Sequence, residues 1–158
     1  MSLWRPHTTG ILIGGMLAVI LAAAIGFMLT HFEPKTEVRL GSGMFNARVA
    51  SDEPARVQGL SGVAEMGQNE ALLMIFDTDD KWQIWMKDMK ISLDIVWLDK
   101  SKKVVHIVKN ASPELSTDTT FTPKEKARYV VELPAGSVQK YSIKIGETAL
   151  FENVEGEN

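Results

Sequence analysis

Two carboxylates, Asp94 and Glu132, interrupt apolar runs that read as buried strands, and Lys87 belongs to a third alternating segment. An acid taken out of water is costly unless it is paired or held for chemistry. In a functional role one carboxylate would act as a general base while Lys87 held an anionic substrate. In a structural role Asp94 or Glu132 would pair with Lys87 or Arg128, or accept backbone N–H groups at a bend. The structural role is favoured, because no histidine, cysteine or serine nucleophile accompanies the set.

The aromatic residues offer a second kind of chemistry. Trp82, Trp85 and Trp97 would make a platform for a sugar ring or lipid headgroup if their faces were exposed, although tryptophans in a small β domain are more often core. Trp97 lies in the most apolar segment and is expected inside, whereas Trp85 shares a face with Gln83 and Lys87 and is the better ligand contact. Asp77-Thr78-Asp79-Asp80 followed by Asp88 resembles calcium-loop spacing only superficially, since Trp82 stands where the loop needs glycine and the closing glutamate is missing. His106 has no ligand-spaced partner for zinc. Gly59 and Gly62 lack the Gly-Lys-Ser/Thr ending of a phosphate loop and are expected to shape a helix end. Asn110-Ala111-Ser112 matches a glycosylation acceptor, which matters only in a host that modifies such sites. No metal and no cofactor is expected.

The elements that must hold these residues alternate mostly with period two. Segments 37–40 and 44–50 read as a hairpin across Gly41-Ser42-Gly43, with Phe45, Ala47 and Val49 on one face and Asn46 and Arg48 on the other. Ser51-Asp52-Glu53-Pro54 is a helix start, and Gly62 a plausible stop, for one short helix. Further strands are expected at 72–76, 82–87, 93–98, 103–109, 127–133, 141–145 and 148–151, with an acidic turn at 77–80 and a hairpin loop at 99–102. Residues 110–126 are the longest irregular stretch. Short strands at close spacing with almost no helix predict an all-β domain, a small β-sandwich of jelly-roll type or a barrel.

The N-terminal region is different in kind. Residues 11–29 are 19 consecutive uncharged residues, apolar but for three glycines, and as a helix they would be about 29 Å long, matching a hydrocarbon layer of roughly 30 Å. A cleaved signal peptide would need a shorter apolar core and a small-x-small site, which only Ala22-Ala23-Ala24 inside the core offers. An uncleaved anchor is therefore preferred. Arg5 and His7 before it, against Glu33 and Lys35 after it, favour a cytoplasmic N-terminus and an extracytoplasmic domain. Gly10, Gly14, Ala18, Ala22 and Gly26 recur every fourth residue, a face on which a partner helix or a second copy would pack closely. The expected organisation is a tail over 1–10, a transmembrane helix over 11–29, a linker over 30–37, a β domain over 38–151 and a disordered acidic tail over 152–158.

Charge and composition narrow the partners. The chain has 158 residues, 45% hydrophobic and 23% charged, and no cysteine, which excludes a lipoprotein anchor. Beyond Arg5 the charge is 16 basic residues against 20 acidic ones, with no basic stripe, so nucleic acid is not an expected partner.

Five motifs occur in order: Gln58-Gly59-Leu60-Ser61-Gly62, Asn69-Glu70, Trp85-Met86-Lys87, Leu93-Asp94-Ile95, and Tyr129-Val130-Val131-Glu132-Leu133-Pro134-Ala135-Gly136. Together they resemble the family called domain of unknown function 192, over roughly residues 38–151. The resemblance implies a compact all-β fold of jelly-roll or barrel type, often exported or membrane-anchored, with no established reaction. It carries over Gly59, Leu60, Trp85, Lys87, Asp94, Glu132 and Gly136. The chain departs from the family pattern at Val63, where an arginine is typical, at Asp88 (asparagine), at Ser92 (proline), and over 112–116, where Pro-Cys is frequent. A site that depended on that arginine or cysteine is absent here.

The expectation is thus a single-pass, membrane-anchored binding or interaction module at the cell envelope, whose ligand site gathers Trp85, Lys87 and Asp94 flanked by Gln58 and Glu132. The alternative is a small envelope hydrolase or lyase acting on polysaccharide with Asp94 and Glu132 as its acid–base pair, which requires the two carboxyls about 5–10 Å apart across a cleft.

Overall fold

A computed structural model describes residues 34–114 and 119–152. The expected spanning stretch 11–29, its small-residue face at Gly10, Gly14, Ala18, Ala22 and Gly26, the tail over 1–10, residues 30–33 of the linker and the acidic tail from residue 153 lie outside the described residues. Among the described residues no helix is long and apolar enough to cross a membrane.

The described part is a mostly-β domain with few helices. Its elements are β1 (Lys35–Leu40), β2 (Gly43–Ala50), α1 (Glu53–Gln58), β3 (Glu70–Asp80), β4 (Ile84–Trp85), β5 (Leu93–Leu98), β6 (Val104–Ala111), β7 (Thr120–Phe121), β8 (Ala127–Pro134) and α2 (Ser137–Lys140). Six strands form one mixed sheet in the order β1-β2-β3-β8-β5-β6, and β4 pairs with β7 in a separate ribbon. The β2–β3 pairing is parallel and its neighbours are antiparallel. Parallel neighbours need a crossover of a dozen or more residues. Residues 51–69 supply it, with α1 inside.

The central strands dictate what surrounds them. All six residues of β5 are buried, as are Ala71 to Phe76 of β3 and nearly all of β8, so both faces of the sheet must be covered. On one face Val38, Phe45, Leu73, Val96 and Val131 form a core closed by the C-terminal segment. Arg39 bridges Leu150 from β1, and Lys103 bridges Thr148 beside β6, so residues 146–151 tie the two edges of the sheet together. On the other face Leu72, Met74, Ile95, Trp97 and Val130 pack under the crossover and the segment leading to β5.

Local chemistry sets the ends. The Asp52 carboxylate accepts the Ala55 N–H at 2.8 Å as the N-cap of α1, Pro54 sits in the first turn, and Gly59 at φ 50° ends the helix, three residues before the expected Gly62. Four expectations shift. The strand expected at 148–151 is reduced to single bridges at Thr148 and Leu150. Asp77 to Asp80 extend β3 rather than turning, because Arg128 of β8 pairs with Asp79 at 2.7 Å. The segment 82–87 keeps only Ile84 and Trp85 as strand. Residues 141–145 form turns, not a strand, following a second short helix, α2.

The β1–β2 turn admits no side chain at Gly41, whose φ is 58° and whose added Cβ would lie 2.2 Å from the Tyr141 carbonyl oxygen. Gly41→Ala should therefore cost about 2 kcal/mol or more, read as a lower urea midpoint at unchanged m-value.

Candidate functional site

Among the described residues, one buried side-chain oxygen lacks a hydrogen-bond partner, and it belongs to an acid on the covered face of the sheet. Glu132 is in β8, opposite Leu72 on one side and Ile95 on the other, and is only 4% exposed. Its Oε2 has no hydrogen-bond partner. Burial lifts its carboxyl from the ordinary 4.5 to about 7, and the Arg48 guanidinium two strands away pulls it back only in part. Arg48 itself donates to the Gly59 carbonyl at 3.4 Å.

Above Glu132 lies a cavity of ≈ 410 Å³, within the usual range for small-molecule sites. One wall is α1 and the turn after it, with Arg56, Gln58 and Ser61. The other is the segment before β5, with Trp82, Gln83 and Trp85, while Met74 and Phe76 of β3 complete the floor. Each wall is fixed by bonds that the sequence places locally. The buried Trp97 indole N–H needs an acceptor and finds the Trp82 carbonyl at 2.8 Å, which holds Trp82 so that its ring stacks on Phe76 with centroids 4.3 Å apart. Arg56 lies over the same Phe76 ring at 5.1 Å and donates to the carbonyls of Ser51 and Ile75. The walls are joined at one end, where Ser61 Oγ donates to the Lys87 carbonyl at 2.9 Å and the Gly62 N–H to that of Asp88 at 2.9 Å.

The five expected site residues divide. Gln58, Trp85 and Glu132 line this cavity. Lys87 does not. It stands in an adjoining groove with its ammonium 5.9 Å from the Trp85 ring. Asp94 is 1% exposed and belongs to the fold. Its Oδ1 accepts the Asn110 N–H at 2.8 Å, and its Oδ2 accepts the Val138 N–H at 2.8 Å. It thereby pins a bulge in β6, where Asn110 has φ 52°, and the start of α2. The register pairs Asp94 with Leu133 and Ile95 with Glu132, so the two acids point to opposite faces of the sheet. They do not form an acid–base pair. The expected partners of Glu132 are also engaged elsewhere, Arg128 with Asp79. Arg56 and Phe76 were not among the expected contacts, and the Ser51–Pro54 helix start is the signal that places Arg56 on the wall.

Comparison with known proteins agrees with the fold. The family described as DUF192, Uncharacterized ACR, matches residues 36–151. A UPF0127 protein of Thermococcus gammatolerans is 28% identical over 102 residues, 63% of this chain and 62% of its own. A second, from Thermococcus kodakarensis, is 27% identical over 92 residues, 58% of this chain and 55% of its own. The chain thus spans less than two thirds of the length of these curated relatives. A crystal structure from Sinorhizobium meliloti, provisionally labelled a transcription regulator, aligns with a TM-score of 0.71 at 25% identity, covering 75% of this chain and 95% of that one. A protein of unknown function from Novosphingobium aromaticivorans aligns at 0.68 and 23% identity, covering 75% and 84%, a likeness of fold.

Two outcomes follow from the two acids. Removing a carboxylate that holds two backbone N–H groups leaves both donors unpaired, so Asp94→Ala should destabilise by about 2–4 kcal/mol in urea unfolding. For Glu132 the folded state holds a proton that the unfolded chain has released between pH 4.5 and about 7. Stability from this group is complete below that window and is lost as pH rises through it, on the order of 3 kcal/mol in total. The difference in unfolding free energy between the wild type and Glu132→Gln, followed from pH 4 to 8, should carry that slope and flatten above pH 7.

Proposed function

The chain belongs to the DUF192 family over residues 36–151, and from that premise we propose that it is a binding module, anchored at the cell envelope, whose ligand enters the cavity above Glu132. The observation that carries this is the unpartnered Glu132 Oε2 beneath an aromatic cavity. An orphaned buried polar atom weakens a fold by about 1–3 kcal/mol. A ligand group that meets it recovers that loss on binding. The rest of the cavity has the composition of a ligand site, mainly apolar and aromatic with a few convergent polar groups from Arg56, Gln58 and Gln83.

Support for the location comes from the sequence. The uncharged stretch 11–29 is long enough to span a bilayer, and the basic residue ahead of it orients the following domain to the outside. The small-residue face within it would seat a second copy or a partner helix. The bridged sheet edges favour the barrel over the sandwich form of the expected fold.

Glu132→Leu separates a ligand role from a structural one. In the full chain in detergent micelles, the variant should melt higher than the wild type in the absence of ligand, because it removes an orphaned acid from an apolar site. Compounds that raise the wild-type melting temperature, by roughly 2.7 kcal/mol of stabilisation at 100 times Kd, should lose their effect on the variant. A variant that melts lower, or that keeps the shift unchanged, refutes the assignment of the cavity.

A further inference from the structure

The cavity does not end at its mouth. A second depression of ≈ 590 Å³ continues from it along the outside of α1. Val57, Gln58, Ser61 and Trp85 line both spaces, so the two form one trough that reaches from the buried Glu132 to Lys87 and Asp88 at the surface. Val57 and Trp85 are both exposed at the junction, 53% and 43%, and line the two spaces together. A ligand that filled only the inner cavity would leave them bare.

The chemistry of the trough favours a neutral chain. Its charged side chains are one cation and one acid at each end, Arg56 with Glu53 inside and Lys87 with Asp88 outside, together with Glu132, which burial keeps largely protonated below pH 7. Between them stand side-chain amides and a hydroxyl, from Gln58, Gln83 and Ser61, beside the tryptophan faces. Aromatic faces pack on the C–H surface of a pyranose ring while amides, hydroxyls and a carboxyl bond its hydroxyl groups. An extended peptide would need free main-chain groups to add a strand. Along the trough those groups are already used: the N–H groups of Gly59, Ser61 and Gly62 and the carbonyls of Lys87 and Asp88 are all bonded within the domain.

We infer that the trough binds the end of a neutral oligosaccharide, with the terminal sugar in the cavity over Glu132 and the next sugar stacked at Trp85 in the groove. This presupposes that the cavity is the binding site, and it adds the class of ligand and the direction in which it lies. Glu132 offers its unpartnered oxygen to a hydroxyl of the terminal sugar.

The test uses the full chain in phosphatidylcholine nanodiscs, which carry no sugar. Titration calorimetry and tryptophan fluorescence would follow binding of β-1,4-linked N-acetylglucosamine and of α-1,4- and β-1,4-linked glucose, each from one to six units, with neutral hexapeptides as a parallel arm. In one sugar series the affinity should rise at least tenfold from one to three units and then level off. Trp85→Ala should reverse that tenfold gain, about 1.4 kcal/mol, and Glu132→Leu should abolish binding at every length. Affinity that climbs steadily to six units overturns end-on binding. Saturable peptide binding that depends on Glu132, with no sugar bound, overturns the ligand class while the cavity remains the binding site. If no sugar or peptide binds and Glu132→Leu also melts below the wild type, both the ligand class and the cavity are refuted.

Discussion

The central strands of this domain are apolar on both faces, and that single constraint accounts for the arrangement around them. A sheet buried on one side could be left open on the other. Here β3, β8 and β5 expose neither face to water, so each side needs a cover, and the two covers are made differently. One side is closed by the sheet's own curvature and the C-terminal segment. The other is closed by non-sheet chain, α1 and the turns on either side of β4. Irregular chain covers a sheet less completely than a second sheet does. The space left between its two walls is the cavity, and Glu132 is the acid among the sheet residues, with Met74 and Phe76, that line it.

The sequence made the hairpins legible and left the long-range pairing hidden. The β1–β2 hairpin and the β5–β6 hairpin announce themselves through alternation around glycine or Asp-Lys-Ser-Lys turns, and the Asp99 carboxylate accepts the N–H groups of Ser101 and Lys103 in the second turn. Parallel pairing of β2 with β3 has no such local sign, because alternation looks the same in either direction. The acids at 77–80 read as a turn because their compensating cation, Arg128, lies 49 residues away. Residues 141–145 alternate as a strand would, yet the preceding chain is wound into α2 by the Asp94 carboxylate, which takes the Val138 N–H.

The same limit governed the site. Asp94 and Glu132 were both recognisable as acids in apolar strands, and both are buried. Which face each would occupy depended on register across β5 and β8, where a shift of one residue would have placed them side by side. No local property of either segment encodes that offset. Trp85 was legible through its polar neighbours on the same face. Lys87 shares that face in sequence but falls beyond the short strand, where Asp88 turns the chain with φ 57°. Asparagine is typical of the family at this position, and the left-handed backbone explains why, since Asn and Asp tolerate it better than other residues.

The tie between the sheet edges has a consequence for synthesis. Both edge strands, β1 and β6, are finished only when residues 146–151 reach them, and those residues follow every strand of the sheet in chain order. Until then the nascent chain presents two unpaired strand edges and cannot seal its larger core. Closure of the sheet edges is thereby deferred until the segment that follows α2 has been made. Late closure leaves an interval in which those edges are open to foreign strands.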